Sequence, residues 1–332
     1  MATKILAASG GDYSDWATYV TYLKTLGTLT ATERGQVSGE FNGGSALLTG
    51  AGCVPTSTFK LILEPIAAGK FTGNPLKYTD GARVLFDASD EVLQLGWDHT
   101  EVDGLAIRGT SAIPGAAYGR IYVPNSITVH LKNIVAEENA VTYNIDDRGA
   151  ASGVRENLCL IRTGGTSGGV RMANFDKTYN NCTIAALNGP VGTAGFALSY
   201  TSAPVYINSV VSGYATDFSS AYSASSKNCA TDKTSGASNI ASMTGAQFSV
   251  ASTDFVSVTN GTHDLRVASG STKLKDLGAA SGGTTTDILG NAVSGGTRDI
   301  GAHEYQAAAS GLAANPIFGG GAAAHPLGGF VV

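Results

Sequence analysis

The sequence predicts an all-β solenoid, a single-stranded right-handed parallel β-helix, because of its composition and a repeat. Only 14% of the 332 residues are charged and 44 are glycine, which disfavours helices and favours strands joined by turns. Short segments led by asparagine recur in the middle of the chain at intervals of 24, 24, 27 and 20 residues. They begin at Asn133, Asn157, Asn181, Asn208 and Asn228. A repeat of this length predicts coils stacked around one core.

The first and third positions after the asparagines are mostly apolar, as in Asn157-Leu158-Cys159-Leu160; Ser209 and Thr231 are the polar members. In a strand these two side chains point to the same side, which we expect to be the interior of the coil. Asparagine tolerates a left-handed bend, and its amide can bond to the equivalent asparagine one coil away. The asparagines therefore predict a structural ladder, and Asp103 is expected to occupy the same corner in an earlier coil.

Charged residues test the register independently. If the coils repeat with the interval from Asn133 to Asn157, opposite charges separated by that same interval would face one another on adjacent coils. Three such pairs are present: Lys132 with Glu156, Glu138 with Arg162, and Asp147 with Arg171. They predict in-register parallel stacking. At this coil length, residues 36–250 would form roughly nine coils at a spacing of about 4.8 Å.

A short amphipathic helix is predicted before the first coil. Ser14 is a suitable N-cap, and Gly27 can end the helix. Apolar residues recur at helical spacing between them, at Trp16, Val20 and Leu23. Such a helix would cover the open end of the stack, where an exposed strand edge would otherwise recruit other chains.

Composition also excludes several classes of partner. The net charge is −5, and the 21 lysines and arginines form no basic run, so no nucleic-acid partner is expected. No apolar stretch long enough for a membrane span or a signal sequence occurs, which predicts no membrane partner and synthesis in the cytosol. The four cysteines lack metal-ligand spacing and are interpreted as buried free thiols. No cofactor and no metal site are predicted.

Both ends of the chain resemble a known family. The stretch GGDYSDWATYVTYL (residues 10–23) is similar to the opening cassette of right-handed parallel β-helix proteins of the pectate-lyase-like superfamily found in bacteriophages. DLRVASGSTKLKDLGAA (264–280) and TTDILGNAVSGGTRDIGAHEYQ (285–306) resemble the closing cassette of that superfamily. The resemblance implies a last coil that ends in a strand at Asp299-Ile300-Gly301-Ala302-His303-Glu304. It leaves the function open, because the fold hosts lyases, hydrolases, adhesins and virion parts.

Polysaccharide cleavage is the alternative that the fold raises, and it needs two facing carboxylates. The densest acidic pairs are Glu137-Glu138 and Asp146-Asp147, but adjacent side chains in a strand point to opposite sides. Glu138 and Asp147 are better interpreted as charge partners in the ladder. A second polar cluster contains Asp98, His99, Glu101 and Asp103, for which both a corner ladder and an acid-base site are open. No catalytic residue is assigned.

Residues 307–332 form an arm without Asp, Glu, Lys or Arg. Two related Pro-apolar-Gly-Gly elements punctuate it, and the residues expected to bind a partner are Pro316, Ile317, Phe318, Pro326, Leu327 and Phe330. Exposed on a free monomer, these apolar residues would promote aggregation, and docking against a partner would remove that liability. A terminus without a partner is the alternative interpretation.

These observations predict four regions: an N-terminal strand and capping helix (1–35), the coils (36–250), closing coils (251–306) and the anchoring arm (307–332). They lead to the hypothesis of a bacteriophage virion structural protein, a capsid decoration, tail fibre or tailspike component that is not an enzyme. Other virion proteins are the expected partners, a host surface glycan is a further candidate, and a homotrimer is expected by analogy with phage spikes. A glycan-binding or glycan-cleaving tailspike is the alternative.

Overall fold

The computed structural model describes residues 2–42, 46–66, 71, 82–86, 93–109, 119–138, 143–149, 152–165, 168–172, 177–187, 194–198, 203–280, 284–293 and 297–306. It confirms the predicted all-β parallel solenoid. Within these ranges the strands of the solenoid pair in parallel, and the one α-helix is α1 (Trp16–Lys24). No helix in the described ranges is long and apolar enough to cross a membrane.

Each turn of the solenoid has three faces. Face A contains β1 (Ala2–Ala7), β3 (Glu33–Ser38), β7 (Leu61–Pro65), β10 (Thr100–Asp103), the first parts of β13 (Val129–Glu138) and β15 (Arg155–Arg162), β17 (Thr178–Asn180) and β20 (Val205–Ile207). Face B contains β4 (Glu40–Asn42), β8 (Arg83–Phe86), β11 (Ala106–Gly109), the second parts of β13 and β15, β18 (Thr183–Ala186), β21 (Val210–Ser212) and β22 (Ala230–Thr231). Face C contains β5 (Ala46–Leu48), β9 (Leu93–Leu95), β12 (Gly119–Val123), β14 (Tyr143–Asp147), β16 (Val170–Met172) and β19 (Phe196–Leu198). Two smaller pairs are β2 (Gly27–Thr28) with β6 (Cys53–Val54), and the antiparallel β23 (Phe255–Ser257) with β24 (Asp264–Val267).

In the described ranges about six turns have a strand on all three faces, as the six strands of face C show, whereas faces A and B have eight strands each; both numbers are below the expected nine coils. The predicted interval applies in the middle of the solenoid, where Leu131 lies beside Arg155. Earlier turns are longer, since Leu61 lies beside Thr100. The inserted residues lie in the connections between faces, where they leave the strand registry intact.

The inner core fills the solenoid. The first and third residues after each asparagine point inward as predicted, and Leu158, Leu160 and Ile184 are almost completely buried. Cys182 and Cys229 also belong to this core, and all four cysteines are buried free thiols, as predicted. Burial raises the pKa of the Cys182 thiol to about 12, so it stays protonated and packs as a small apolar group.

Both ends of the inner core are covered. At the N-terminal end, Trp16, Val20 and Leu23 of α1 are buried, but the N-cap is Asp15 instead of Ser14. The Asp15 carboxylate accepts a bond from the Thr18 N–H at 2.8 Å, which Ser14, one residue too early, cannot do. At the other end, the irregular stretch 233–249 inserts the buried side chains of Ile240 and Met243.

The C-terminal segment (residues 251–306) does not continue the stack as closing coils. After β24 its described residues form no strand, so the expected final strand at Asp299 is absent there. It lies instead against the outside of face B and buries a second, outer core. Face B contributes Ala106, Val135, Cys159, Ala185, Val210 and Ala230, and the segment contributes Phe255, Leu265, Val267, Leu274, Ile288 and Ile300.

Candidate functional site

The corner between faces A and B is built from the five predicted asparagines. All five have left-handed backbone conformation: φ is 50° for Asn133, 53° for Asn157, 53° for Asn181, 50° for Asn208 and 51° for Asn228. Asparagine is among the few residues with a side chain that adopt this conformation at low cost. Each one turns the chain from face A to face B while the ladder hydrogen bonds continue on both sides.

A side-chain ladder connects the first three turns of this corner. Asn157 Nδ2 donates to Asn133 Oδ1 at 2.9 Å, and Asn133 Nδ2 donates to Asp103 Oδ1 at 2.7 Å. Asp103 thus joins the ladder as expected, but the left-handed bend of its turn belongs to Gly104, with φ of 76°. Beyond Asn157 the ladder ends, because the side-chain amides of the later asparagines bind the C-terminal segment instead.

The C-terminal segment runs along the asparagine corner in the direction opposite to the stack. Asn228 Nδ2 donates to the Leu277 carbonyl at 2.7 Å. Asn208 Nδ2 donates to the Ala279 carbonyl at 3.1 Å, and the Ala279 N–H donates back to Asn208 Oδ1 at 2.6 Å. Later residues of the segment reach earlier turns, since Asn157 Nδ2 donates to the Thr286 carbonyl at 3.0 Å.

Asn181 binds the segment through its side-chain oxygen. This oxygen accepts bonds from Thr284 Oγ1 at 2.6 Å and from Arg298 Nη2 at 2.7 Å. The opposite amide orientation would place the NH2 group against the Arg298 cation, so electrostatics selects the orientation in which the oxygen faces it. Asn157, Asn181, Asn208 and Asn228 therefore have two functions: they bend the solenoid and they hold the segment.

The way the Asp299–Glu304 stretch docks explains why it contains a glycine at position 301. The Gly301 N–H donates to the Asn208 carbonyl at 2.7 Å, and φ of Gly301 is 117°. A Cβ atom at this position would lie 2.7 Å from Thr183 Oγ1. The Ala302 N–H then donates to the same Thr183 oxygen at 3.0 Å. Only glycine fits where the segment crosses so close to the corner.

Three carboxylates fix the end of the segment. Asp287 accepts bonds from the N–H groups of Leu289 (2.9 Å) and Glu304 (3.1 Å). Asp299 accepts from the N–H of Tyr305, and Glu304 accepts from the N–H of Asp299 at 3.2 Å. Burial and then the charge of Asp299 raise the pKa of Glu304 to about 7. These bonds tie the last described residues to the rest of the segment, which is bonded to the rod through Gly301 and Ala302.

The β23–β24 hairpin is held to face B by a buried polar contact. His263 Nε2 lies 3.1 Å from Glu137 Oε1, and both side chains are largely buried. Glu137 points outward from β13, where it faces the hairpin of the C-terminal segment. His303 faces the same interface between the C-terminal segment and face B, which we call the seam. Its Nδ1 accepts from the Val267 N–H at 3.3 Å, and burial lowers its pKa to about 4.

Two of the three predicted charge pairs have the expected register. Lys132 lies beside Glu156 and Glu138 beside Arg162 as Cα partners. Each pair also has a further partner: Lys132 Nζ lies 3.3 Å from Glu101, and Glu138 pairs with a buried arginine, Arg120, at 2.9 Å.

The pairing of Asp147 with Arg171 is wrong by one residue. Asp146 is the strand neighbour of Arg171, whose Nε donates to it at 3.1 Å, because the turn at this point of face C is one residue longer than the repeat predicts. Asp147 points into the solenoid and binds Arg155 at 2.6 Å. Burial alone would raise the pKa of Asp147, but the Arg155 guanidinium holds it well below its usual value.

Carboxylates do cluster on the outer surface of face A. Glu101 lies 3.2 Å from Lys60 and 3.3 Å from Lys132, and these lysines lower its pKa although burial opposes them. Burial raises the pKa of both Asp103 and Glu156. Asp103 also borders a cavity of about 180 Å³ between Glu64 and the Ile288–Gly290 part of the segment. The cluster unites three carboxylates and two lysines on adjacent turns.

Asp98 and His99 lie at the start of this turn and belong to its backbone framework. Asp98 Oδ1 accepts from the Thr128 N–H at 2.7 Å, and the His99 N–H donates to the Thr128 carbonyl at 2.7 Å. His99 has φ of 54°, so it occupies a left-handed bend like the asparagines. Both residues therefore lie at the bend from face C to face A, one face before the asparagine corner of the same turn.

The arm falls outside the described residues. This applies to every residue expected there to bind a partner: Pro316, Ile317, Phe318, Pro326, Leu327 and Phe330. What the structure defines is the root of the arm, at Glu304–Gln306.

Comparison with known proteins yields no relative: no protein-family model, no curated protein and no solved structure matches the chain. The chemistry of the corner is therefore inferred from its own residues.

Proposed function

We propose that the chain is a bacteriophage virion structural protein, a β-helical decoration, fibre or spike component of the head or tail that is anchored through residues 307–332. One observation carries the proposal: the root of the arm closely follows Gly301 and Ala302, whose N–H groups donate to Asn208 and Thr183 of the rod. Glu304 and Tyr305 bind Asp287 and Asp299 within a segment that spans four turns of the asparagine corner. A force applied to the arm is therefore shared by several turns.

The arm itself supports an anchoring role. Its residues include no Asp, Glu, Lys or Arg, and its two Pro-apolar-Gly-Gly elements carry Ile317, Phe318 and Leu327. Proline and glycine disfavour a helix, so an extended backbone with periodic apolar contacts is the form in which such an arm would bind. Extended arms that become ordered on assembly are a recurring way to join subunits.

The resemblance of both ends to phage β-helix proteins of the pectate-lyase-like superfamily supports the same assignment. By the same analogy, we propose that the protein acts as a homotrimer. Covered solenoid ends favour lateral association, because they offer no long strand edge for end-to-end growth.

The proposal is tested by assembling particles with the full chain and with a chain lacking residues 307–332. Quantitative mass spectrometry of purified particles should find the truncated chain absent. Phe318→Asp should also reduce incorporation, since it charges the first apolar element, whereas Ala323→Asp, which places the same charge in the spacer, should not. Normal incorporation of the truncated chain would refute the anchor.

A glycan-cleaving enzyme is a second candidate because of the carboxylates on face A. Asp103 and Glu156 flank Lys132 on adjacent turns, so they are on the order of 10 Å apart, near the separation that inverting glycosidases use. A raised pKa on both is compatible with acid catalysis. Incubation with host surface polysaccharides should release no new reducing ends. Release that disappears in Glu156→Gln would establish the enzyme instead.

A further inference from the structure

A cleft of about 610 Å³ opens where faces C and A meet near the C-terminal end of the solenoid. Three successive turns contribute to it: residue 203 from the first, residues 220–226 from the second and residues 239–244 from the third. Its volume lies within the usual range of small-molecule sites. The residues that give it its chemistry are Ser220, Tyr222, Ser226, Asn239, Ser242 and Thr244.

The walls of the cleft are fixed by hydrogen bonds to the solenoid. Ser226 Oγ accepts from the N–H of Tyr206 at 3.0 Å. In the next turn, Asn239 Nδ2 donates to the Phe218 carbonyl at 2.6 Å, and the Asn239 N–H donates to the buried carboxylate of Asp217 at 3.2 Å. Both loops are thus held before any ligand arrives, which lowers the entropic cost of binding.

The lining combines an aromatic ring with neutral hydrogen-bonding groups. Tyr222 packs part of its ring against the inner core, and its hydroxyl lies 2.9 Å from Ser242 Oγ. Ser220 and Thr244 are exposed at the rim, and neither hydroxyl has a hydrogen-bond partner among the described residues. None of the described residues that line the cleft is charged.

We propose that this cleft binds a neutral glycan. A charged ligand would find no counter-charge in the described lining, and a purely apolar ligand would cover the hydroxyls of Ser220 and Thr244 without giving them a partner. A neutral sugar offers hydroxyls to the serine, threonine and asparagine groups and a C–H face to the Tyr222 ring. The lateral position, shared by three turns, allows a longer chain to continue along the rod.

The inference goes beyond the anchoring role and does not depend on it. The cleft lies in residues 203–244, whereas the proposed anchor lies in residues 307–332, so either can fail while the other holds. Particle incorporation tests only the anchor, and solution binding to the purified chain tests only the cleft.

The test is a titration of the full chain with neutral tetrasaccharides of glucose, mannose, galactose and N-acetylglucosamine, with tetragalacturonate as the charged comparison. Calorimetry and saturation-transfer NMR should detect at least one neutral glycan and no tetragalacturonate. Tyr222→Ala should weaken binding about tenfold or more, because the ring supplies the apolar contact. Tyr122→Ala, which removes an aromatic ring from face C away from the cleft, should leave binding unchanged.

Ala224→Trp is a second variant that fills the cleft from an exposed position and should abolish binding without touching the core. Thermal unfolding verifies that each variant is folded. The proposal is overturned if none of the four neutral glycans binds, if tetragalacturonate binds as well as they do, or if folded Tyr222→Ala and Ala224→Trp both retain full affinity.

Discussion

The inner and outer cores use the same strands but depend on different parts of the sequence. Leu160 packs inside against residues one turn away, while its neighbour Cys159 packs outside under the C-terminal segment. The contacts that hold this segment join residues as far apart in sequence as Asn157 and Thr286. Residues one turn apart can associate early, whereas this segment must close a long loop first. We therefore expect the inner core to be more resistant to unfolding than the outer core.

The largest effect is expected at the buried charges of the inner core. Asp147 binds Arg155 at 2.6 Å and the Tyr179 hydroxyl at 2.8 Å, and all three side chains are buried. Asp147→Ala leaves a buried guanidinium without its partner, so the free energy of unfolding should fall by about 3–5 kcal/mol in urea. Lys233→Ala, which breaks a partly exposed pair with Asp232, should cost less than about 1 kcal/mol. Equal losses of unfolding free energy in the two variants would contradict the expected difference between buried and partly exposed charges.

A cavity in the outer core should detach the segment and leave the solenoid intact. Leu265 is 1% exposed within that core, so Leu265→Ala should cost about 2–5 kcal/mol of segment docking. Hydrogen exchange should then accelerate in residues 255–305 while the amides of β13 and β15 stay protected. Val256→Ala, in the same hairpin but 55% exposed, is the matched control and should change little. Uniform acceleration across the solenoid would mean that the two cores form a single cooperative unit.

A smaller effect is expected from crowding the seam. Gly301→Ala places a Cβ atom 2.7 Å from Thr183 Oγ1 at a φ of 117°, so docking should weaken by about 1–3 kcal/mol. Limited proteolysis should cut this variant faster within the segment. Gly270→Ala serves as the control, since a Cβ atom there meets nothing within 4 Å. The close approach would be disproved if both variants resisted the protease equally.

The smallest effect should be a pH dependence of the seam. The pKa of Glu304 is raised to about 7 in the folded protein, so the folded state favours the protonated carboxyl. Its contribution is complete below the unfolded value of about 4.3 and is lost as the pH rises through about 7. The segment should therefore exchange faster in the parent than in Glu304→Gln at pH 8, and at the same rate at pH 5. Glu40→Gln, which changes an exposed side chain, should exchange at the same rate as the parent at both pH values.

Local rules predicted the asparagine corner, because the bend and the interior positions both depend on residues within one strand. The register predicted from the charge pairs is wrong at Asp147, because the turn on face C is one residue longer there than the repeat on faces A and B. Turn lengths in the first half could not be read from the repeat, since no asparagine marks those corners.

The outer core had a signal in the sequence. The second residue after four of the asparagines is apolar or cysteine, at Val135, Cys159, Val210 and Ala230. A strand that is apolar on both sides must be covered on both sides. What covers it could not be inferred, because the Asp299–Glu304 stretch resembles a closing strand and its docking depends on Thr183 and Asn208, far away in sequence.

The backward course of the C-terminal segment has a consequence for biosynthesis. A ribosome releases the turns in order, and each can stack on the one before it as it emerges. The apolar stripe on face B stays bare until residues 255–302 have also left the exit tunnel, since those residues provide its cover. Nascent chains on one polysome would therefore display this stripe to one another during most of translation, and slow synthesis or premature termination should favour aggregation over soluble rods.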